Sequence, residues 1–182
     1  MPSKLKTAIE FVKHIRTTGA INQTSKRTEE EITQQVVESS KLVVEFGMGH
    51  GNITEKILTK LPKDGRLFAF EVNSEFCEVV KDTIDDDRLT IVNDSAANIA
   101  KYVDKDINNI ISSMPLTMFS DQLVADIFKS SFSLLKDTGY FSQILYNKNS
   151  RDRFDQYFSD IDITGIISFP PQFVYHCTDK VT

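Results

Sequence analysis

Leu42-Val43-Val44-Glu45-Phe46 runs directly into Gly47-Met48-Gly49-His50-Gly51, and this junction constrains the chain more than any other stretch. A short apolar run rich in β-branched residues reads as a strand buried on both faces. Three glycines at alternate positions follow it, and Ile53, Ile57, Leu58 and Leu61 then fall on one side of a helix. Strand, glycine turn and helix bring bare backbone close to a ligand at a helix N-terminus. The pattern predicts a nucleotide-like ligand beyond the end of a central strand.

The rest of the chain repeats the alternation. Strands are predicted at 66–72, 89–92, 107–111 and 140–146, with helices from Ser74, over 96–102 and over 121–135. Before the first strand, Thr28 with Glu31 fits a capping box, and Ile32, Val36 and Val37 continue that helix. A polar helix is predicted at 151–158, and strands near 163–169 and 173–177 close the chain. Only Pro170-Pro171-Gln172 separates those two, so they read as an antiparallel hairpin. The expected fold is α/β: a Rossmann-like, doubly wound, mostly parallel seven-stranded sheet with an antiparallel C-terminal edge hairpin. At 182 residues it reads as one domain, with residues 1–40 a helical lid and 41–182 the core.

Charge sharpens the picture. The formal net charge of −5 disfavours general nucleic-acid binding. Residues 1–27 nonetheless carry Lys4, Lys6, Lys13, Arg16, Lys26 and Arg27 against the single acid Glu10. Leu5, Ala8, Ile9, Val12 and Ile15 make 3–17 a basic amphipathic helix, suited to packing on the core and to an anionic membrane surface. Asp85-Asp86-Asp87 reads as a solvated loop, and no metal site is expected. Cys77 and Cys177 have no metal or redox spacing and read as buried thiols. No run approaches the roughly 20 apolar residues of a membrane span, so the expectation is a cytoplasmic protein, with peripheral contact at the inner membrane surface.

A dinucleotide turn needs glycine at its sixth position, where this chain has Asn52. The alternating Gly-x-Gly-x-Gly turn after Glu45 instead resembles the first motif of class I S-adenosylmethionine-dependent methyltransferases. That resemblance implies S-adenosylmethionine as cofactor. It places Gly47, Met48, Gly49, Gly51 and Asn52 around the cofactor's methionine end, with Glu45 attracting its cationic end. Glu71, with Val72 beside it, falls at the end of the second strand, where the carboxylate accepts the ribose hydroxyls. Asp94, with Ser95, is placed at the adenine amino group, and Thr24 and Ser112 complete the cofactor set. Glu71 and Asp94 can equally be strand-end acids that cap the next helix.

Phe11 to Ser25, Ser112 to Leu116, Phe141 to Tyr146 and Pro170 to Tyr175 are similar to segments of soluble bacterial phospholipid N-methyltransferases, with ribosomal RNA adenine dimethylases more distant. The resemblance implies a phospholipid ethanolamine headgroup as acceptor. Ser113, Met114 and Pro115 would line its pocket, and Tyr146 and Tyr175 would hold the ammonium by cation–π attraction. His176 is the candidate proton acceptor. Ser113 stands where that family tends to have glycine. Adenine methylases carry an Asn/Asp-Pro-Pro-aromatic motif there, which Ser113-Met114-Pro115-Leu116 lacks. A soluble small-molecule amine, rRNA adenine, and a non-catalytic cofactor-binding module remain the alternatives.

Overall fold

A computed structural model describes residues 24–104 and 106–181, so the basic helix expected at 3–17 lies outside the described residues. Seven strands form one sheet: β1 (Leu42–Phe46), β2 (Arg66–Phe70), β3 (Leu89–Val92), β4 (Ile107–Ser112), β5 (Leu135–Leu145), β6 (Phe158–Ile166) and β7 (Gln172–Lys180). Their spatial order is β3-β2-β1-β4-β5-β7-β6. The first five are parallel, while β7 runs antiparallel to both of its neighbours. The hairpin thus sits at the sheet edge, with its reversed strand one place in from that edge.

Among the described residues, four helices flank the sheet: α1 (Lys26–Ile32), α2 (Asn52–Lys60), α3 (Ser74–Thr83) and α4 (Asp121–Leu134). Alternation along each strand sends successive side chains to opposite faces. Val43, Ile111, Ile144 and Val174 pack with Ile32 of α1 and with Ile53 and Ile57 of α2. Val44, Phe46, Ile110, Phe141 and Tyr175 face α4. On that second face Phe128 is the hub, stacked on Tyr157 at 4.9 Å and tilted against Phe141 at 5.0 Å, with Phe154 edge-on at 5.5 Å. Full burial of each such ring contributes about 1.5–3 kcal/mol.

Several local expectations give way. The cap of α1 lies three residues earlier than expected: Ser25, not Thr28, is the N-cap, and it accepts the Thr28 N–H. That helix ends at Ile32, leaving Val36 buried but Val37 exposed. Asn73, not Ser74, caps α3. The polar helix expected at 151–158 is a single 3₁₀ turn, Arg151–Arg153, because Phe154 and Phe158 are both drawn into the core instead of lying on a surface helix. The turn expected at Asp137-Thr138-Gly139 is absent; α4 passes directly into β5, and those residues form an irregularity where the β4–β5 register shifts. Gly139 fits that irregularity because a Cβ there would lie 2.8 Å from Leu135 and 3.0 Å from the Asn108 carbonyl.

Asp86 pairs with Arg88 at 2.6 Å, and Arg88 also donates to the Leu58 and Leu61 carbonyls at the end of α2. Both cysteines are free and buried, and burial pushes the Cys77 thiol up to about 11.

Two glycines give opposite predictions. Gly51 has φ +89°, and a Cβ there would lie 3.0 Å from Ile84 and 3.2 Å from Val80. Gly51→Ala is expected to destabilise the fold by about 1–3 kcal/mol, through left-handed strain plus crowding. At Gly165 the nearest atom is Phe173 at 3.6 Å, and Gly165→Ala is expected to be neutral or to stabilise by up to about 1 kcal/mol. Urea denaturation of both variants checks the pair.

Candidate functional site

The five parallel strands end on one rim, and every cofactor residue expected from β1, β2, β3 and β4 lies there. At the end of β1, Gly47, Gly49 and Gly51 all have positive φ (81°, 58° and 89°). Side chains at Gly47 and Gly49 would be strained, so the turn presents backbone alone. Both the Gly47 and the Met48 N–H donate to the Phe70 carbonyl, at 2.9 and 3.2 Å, which folds the turn across the end of β2. Met48 itself is buried against Ala69, Cys77 and Val80. Asn52 is the first residue of α2, half-buried.

Glu71 follows β2 directly and is 3% exposed. Its Oε2 accepts the Gly49 N–H at 3.0 Å and its Oε1 the Asn73 N–H at 2.9 Å. The carboxylate therefore ties the glycine turn to the start of α3. Val72 beside it is half-buried. Glu45, 1% exposed, points to the opposite face and accepts the Thr54 hydroxyl at 2.7 Å in the first turn of α2. A carboxylate in that place is favoured by the positive end of the helix dipole.

Asp94 lies just past β3. Its Oδ1 accepts from the Ser95 N–H at 2.7 Å and from Asn98 Nδ2 at 2.8 Å, while Oδ2 accepts from the Tyr102 hydroxyl at 2.9 Å. Burial pushes its pKa up, but those donors outweigh burial and hold it below the usual carboxylate range. Ser95 caps the 3₁₀ turn that follows, so its hydroxyl serves the backbone. Thr24 is half-buried just before the cap of α1.

Past β4, Ser112 Oγ accepts the Met114 N–H at 3.4 Å. Ser113 donates its hydroxyl to the Gly47 carbonyl at 2.8 Å, and its N–H to the Phe46 carbonyl. The serine that replaces a glycine is thus a strut between the two loops. Met114 is half-buried, Pro115 is buried, and Leu116 is fully buried in the core.

Three expected acceptor residues separate from one another. Tyr146 is 39% exposed at the end of β5, on the rim. Tyr175 is fully buried, stacked on Phe154 at 5.2 Å. Its hydroxyl donates to the Asn147 carbonyl and accepts the Ser150 N–H, so it anchors the loop after β5 and offers no open face to an ammonium. His176 also leaves the acceptor wall. It pairs with Ser142, three residues inside the end of β5, and is 2% exposed. Its Nδ1 shares a 2.8 Å hydrogen bond with Ser142 Oγ, and its Nε2 faces Glu31 of α1 at 3.7 Å.

Sequence reasoning missed Gln143 and Phe76. Gln143 is fully buried near the end of β5, and its Nε2 donates to the Met114 carbonyl at 2.9 Å and to the Ile144 carbonyl at 2.7 Å. A lone amide in an apolar strand is the signal that marks it. The Phe76 ring lies 4.5 Å from that of His50, which is exposed in the glycine turn, and the two wall one side of the turn.

Residues 43–139 match the family model described as a methyltransferase domain. A protein from Methanococcoides burtonii named as probable ribosomal RNA small subunit methyltransferase A is 28% identical over 156 residues, 80% of this chain and 54% of that protein. The chain therefore spans only about half the length of that relative. The ornithine lipid N-methyltransferase of Singulisphaera acidiphila is 24% identical over 148 residues, 77% of each chain. A Streptococcus mutans structure described as a methyltransferase in complex with SAH aligns with TM-score 0.63 and 16% identity, over 88% of this chain and all of that one.

Burial depresses the His176 pKa below its ordinary 6.5, outweighing the nearby carboxylates of Glu31 and Asp162. The unfolded chain therefore binds a proton below about 6.5 that the folded protein resists. Stability from this residue is complete above that pH and declines as pH falls toward the folded-state pKa. His176→Gln is expected to flatten the loss of thermal stability between about pH 6.5 and 5, measured by melting midpoint across that range.

Proposed function

The chain belongs to the methyltransferase domain family matched by residues 43–139, and on that premise we propose that it N-methylates the amine of a phospholipid ethanolamine headgroup. It is an S-adenosylmethionine-dependent methyltransferase. The rim fits that cofactor: two side-chain-free positive-φ positions adjoin carboxylates at the ends of two neighbouring strands. In this reading Gly47 and Gly49 approach the methionine end, Glu71 takes the ribose, Asp94 the adenine amino group, and Glu45 adds negative charge beneath the turn. Thr24, Met48, Gly51, Asn52, Val72, Ser95 and Ser112 complete the surroundings.

The observation that carries the acceptor reading is the loop after β4. Where the adenine-methylase motif has an aromatic residue, this loop has Leu116, fully buried in the core. What the loop supplies is the Met114 carbonyl, fixed by Gln143 and by the Leu116 N–H at 2.8 Å. With both lone pairs of that carbonyl engaged, the loop is held in one shape, and no ring in it selects a planar base. The ornithine lipid N-methyltransferase relative supports a lipid amine, and the net charge of −5 disfavours RNA. The rRNA-methylase relative makes adenine in RNA the second reading.

S-adenosylmethionine supplies a methyl group on a sulfonium, which an amine lone pair takes in line. The protein's part is placement, with the loop after β4 held rigid by Gln143 and Tyr146 bordering the pocket. With His176 buried behind the rim, the amine proton leaves to water. Peripheral contact through residues 3–17 would bring the rim to its substrate.

Methyl transfer from labelled S-adenosylmethionine is expected to phosphatidylethanolamine vesicles and not to RNA or soluble amines. Label in RNA alone would overturn the lipid reading. Glu71→Ala is expected to weaken S-adenosylhomocysteine binding at least tenfold by calorimetry. Gln143→Leu should retain that binding while losing roughly tenfold in transfer rate, equivalent to about 1.4 kcal/mol of transition-state positioning.

A further inference from the structure

The loop joining β6 to β7, residues 167–171, carries the two most exposed large apolar side chains among the described residues. Ile167 is 92% and Phe169 94% exposed, against 39–52% for the other exposed large hydrophobics. Scattered half-exposed apolar residues are ordinary. Two almost wholly solvated ones at a five-residue tip are not. The loop is built to hold them out. Ser168 between them is half-buried and donates to the Pro170 carbonyl at 2.8 Å, a bond that closes the tip on itself while both neighbours stay in solvent. Pro170 and Pro171 stiffen the return into β7.

The tip lies on the cofactor rim. Because β7 runs against β5, with Phe173 opposite Leu145, the start of β7 coincides with the end at which β1, β4 and β5 finish. Two strand spacings, about 10 Å, separate β7 from β4 and its acceptor loop. Exposed positive charge adjoins it. Thr28 donates to Gln172 Oε1 at 2.6 Å, which brings the first turn of α1 against the foot of the loop, with Lys26 and Arg27 exposed and Glu29 half-buried. Lys148 is exposed just past the end of β5. The acids of β6, Asp160 and Asp162, lie farther down the strand, opposite Thr178 and His176.

An apolar tip flanked by cations, on a protein with a net charge of −5, matches the surface of an anionic bilayer: rings and branched chains enter the acyl boundary while cations meet headgroups. We propose that Ile167 and Phe169 insert into an anionic phospholipid bilayer and dock the cofactor rim on it. The inference deepens the phospholipid reading and rests on it for its catalytic purpose. It adds a membrane contact separate from residues 3–17.

The test uses the full chain with extruded vesicles of phosphatidylethanolamine and phosphatidylglycerol. The I167S/F169S double variant is expected to lose at least tenfold in vesicle partitioning by co-sedimentation. Its melting midpoint and S-adenosylhomocysteine affinity should be unchanged. Val181→Ser, an exposed apolar residue at the far end of β7, should partition like the parent. On phosphatidylethanolamine with chains short enough to stay monomeric, the double variant should match the parent's rate, while its rate on vesicles falls. Unchanged partitioning of I167S/F169S would overturn the inference and leave the lipid reading intact. A parent dimer that the double variant dissociates, with vesicle binding unaffected, would overturn it in favour of a second copy of the chain. Loop-dependent vesicle binding without methylation of any lipid would uphold the docking surface and sink the acceptor reading.

Discussion

The Glu71 carboxylate accepts one backbone N–H from the glycine turn and another from the start of α3. Buried charge is tolerated only when hydrogen bonds replace water, and here both oxygens are so engaged. The geometry of the rim depends on that exchange. Gly49 cannot swing away from β2 without stranding the carboxylate, and α3 cannot shift without losing the N–H of its own cap residue. The positive φ of Gly47 and Gly49 is what lets the backbone reach the acid. The residues that fix the turn are also those proposed above to meet the cofactor, and on that reading binding and local stability are coupled at this corner.

A second brace works from the other side. Ser113 bonds the Gly47 carbonyl, and Gln143 bonds the Met114 carbonyl, so the loop after β4 is held by β1 on one flank and by β5 on the other. Preorganised donors and acceptors assist a reaction because they need no rearrangement as it proceeds. On the proposed reading, methyl transfer asks for little else from protein groups, in keeping with a rim whose carboxylates, Glu71 and Asp94, are engaged by backbone and side-chain donors.

The presence of seven strands, and the bounds of the first four to within two residues, were legible because apolar runs bounded by turns carry their own signal. Glycine spacing did the same for the turn after β1. Element ends were less legible. Ser25 and Thr28 are both competent caps, and tertiary contact decided between them: Thr28 is taken by Gln172, 144 residues away. Tyr175 and His176 illustrate the same limit. A strand pattern shows that they face opposite sides, yet not that one packs on Phe154 and the other meets Glu31 from α1. The stretch 151–158 has helical polarity, but two phenylalanines drawn into the core override it.

The position of β7 has a consequence for how the protein is made. β7 is synthesised after β6 yet lies inside it: β6 is hydrogen-bonded into the sheet only through β7. Until residues 172–180 emerge, β5 presents an open edge and β6 has no strand partner, while α1 lacks the Gln172 contact that ties it down. Open edges are pairing templates for other chains, and contacts spanning most of the sequence slow closure. Nascent chains of this fold should therefore be most vulnerable to aggregation during synthesis of the interval between Leu145 and Lys180.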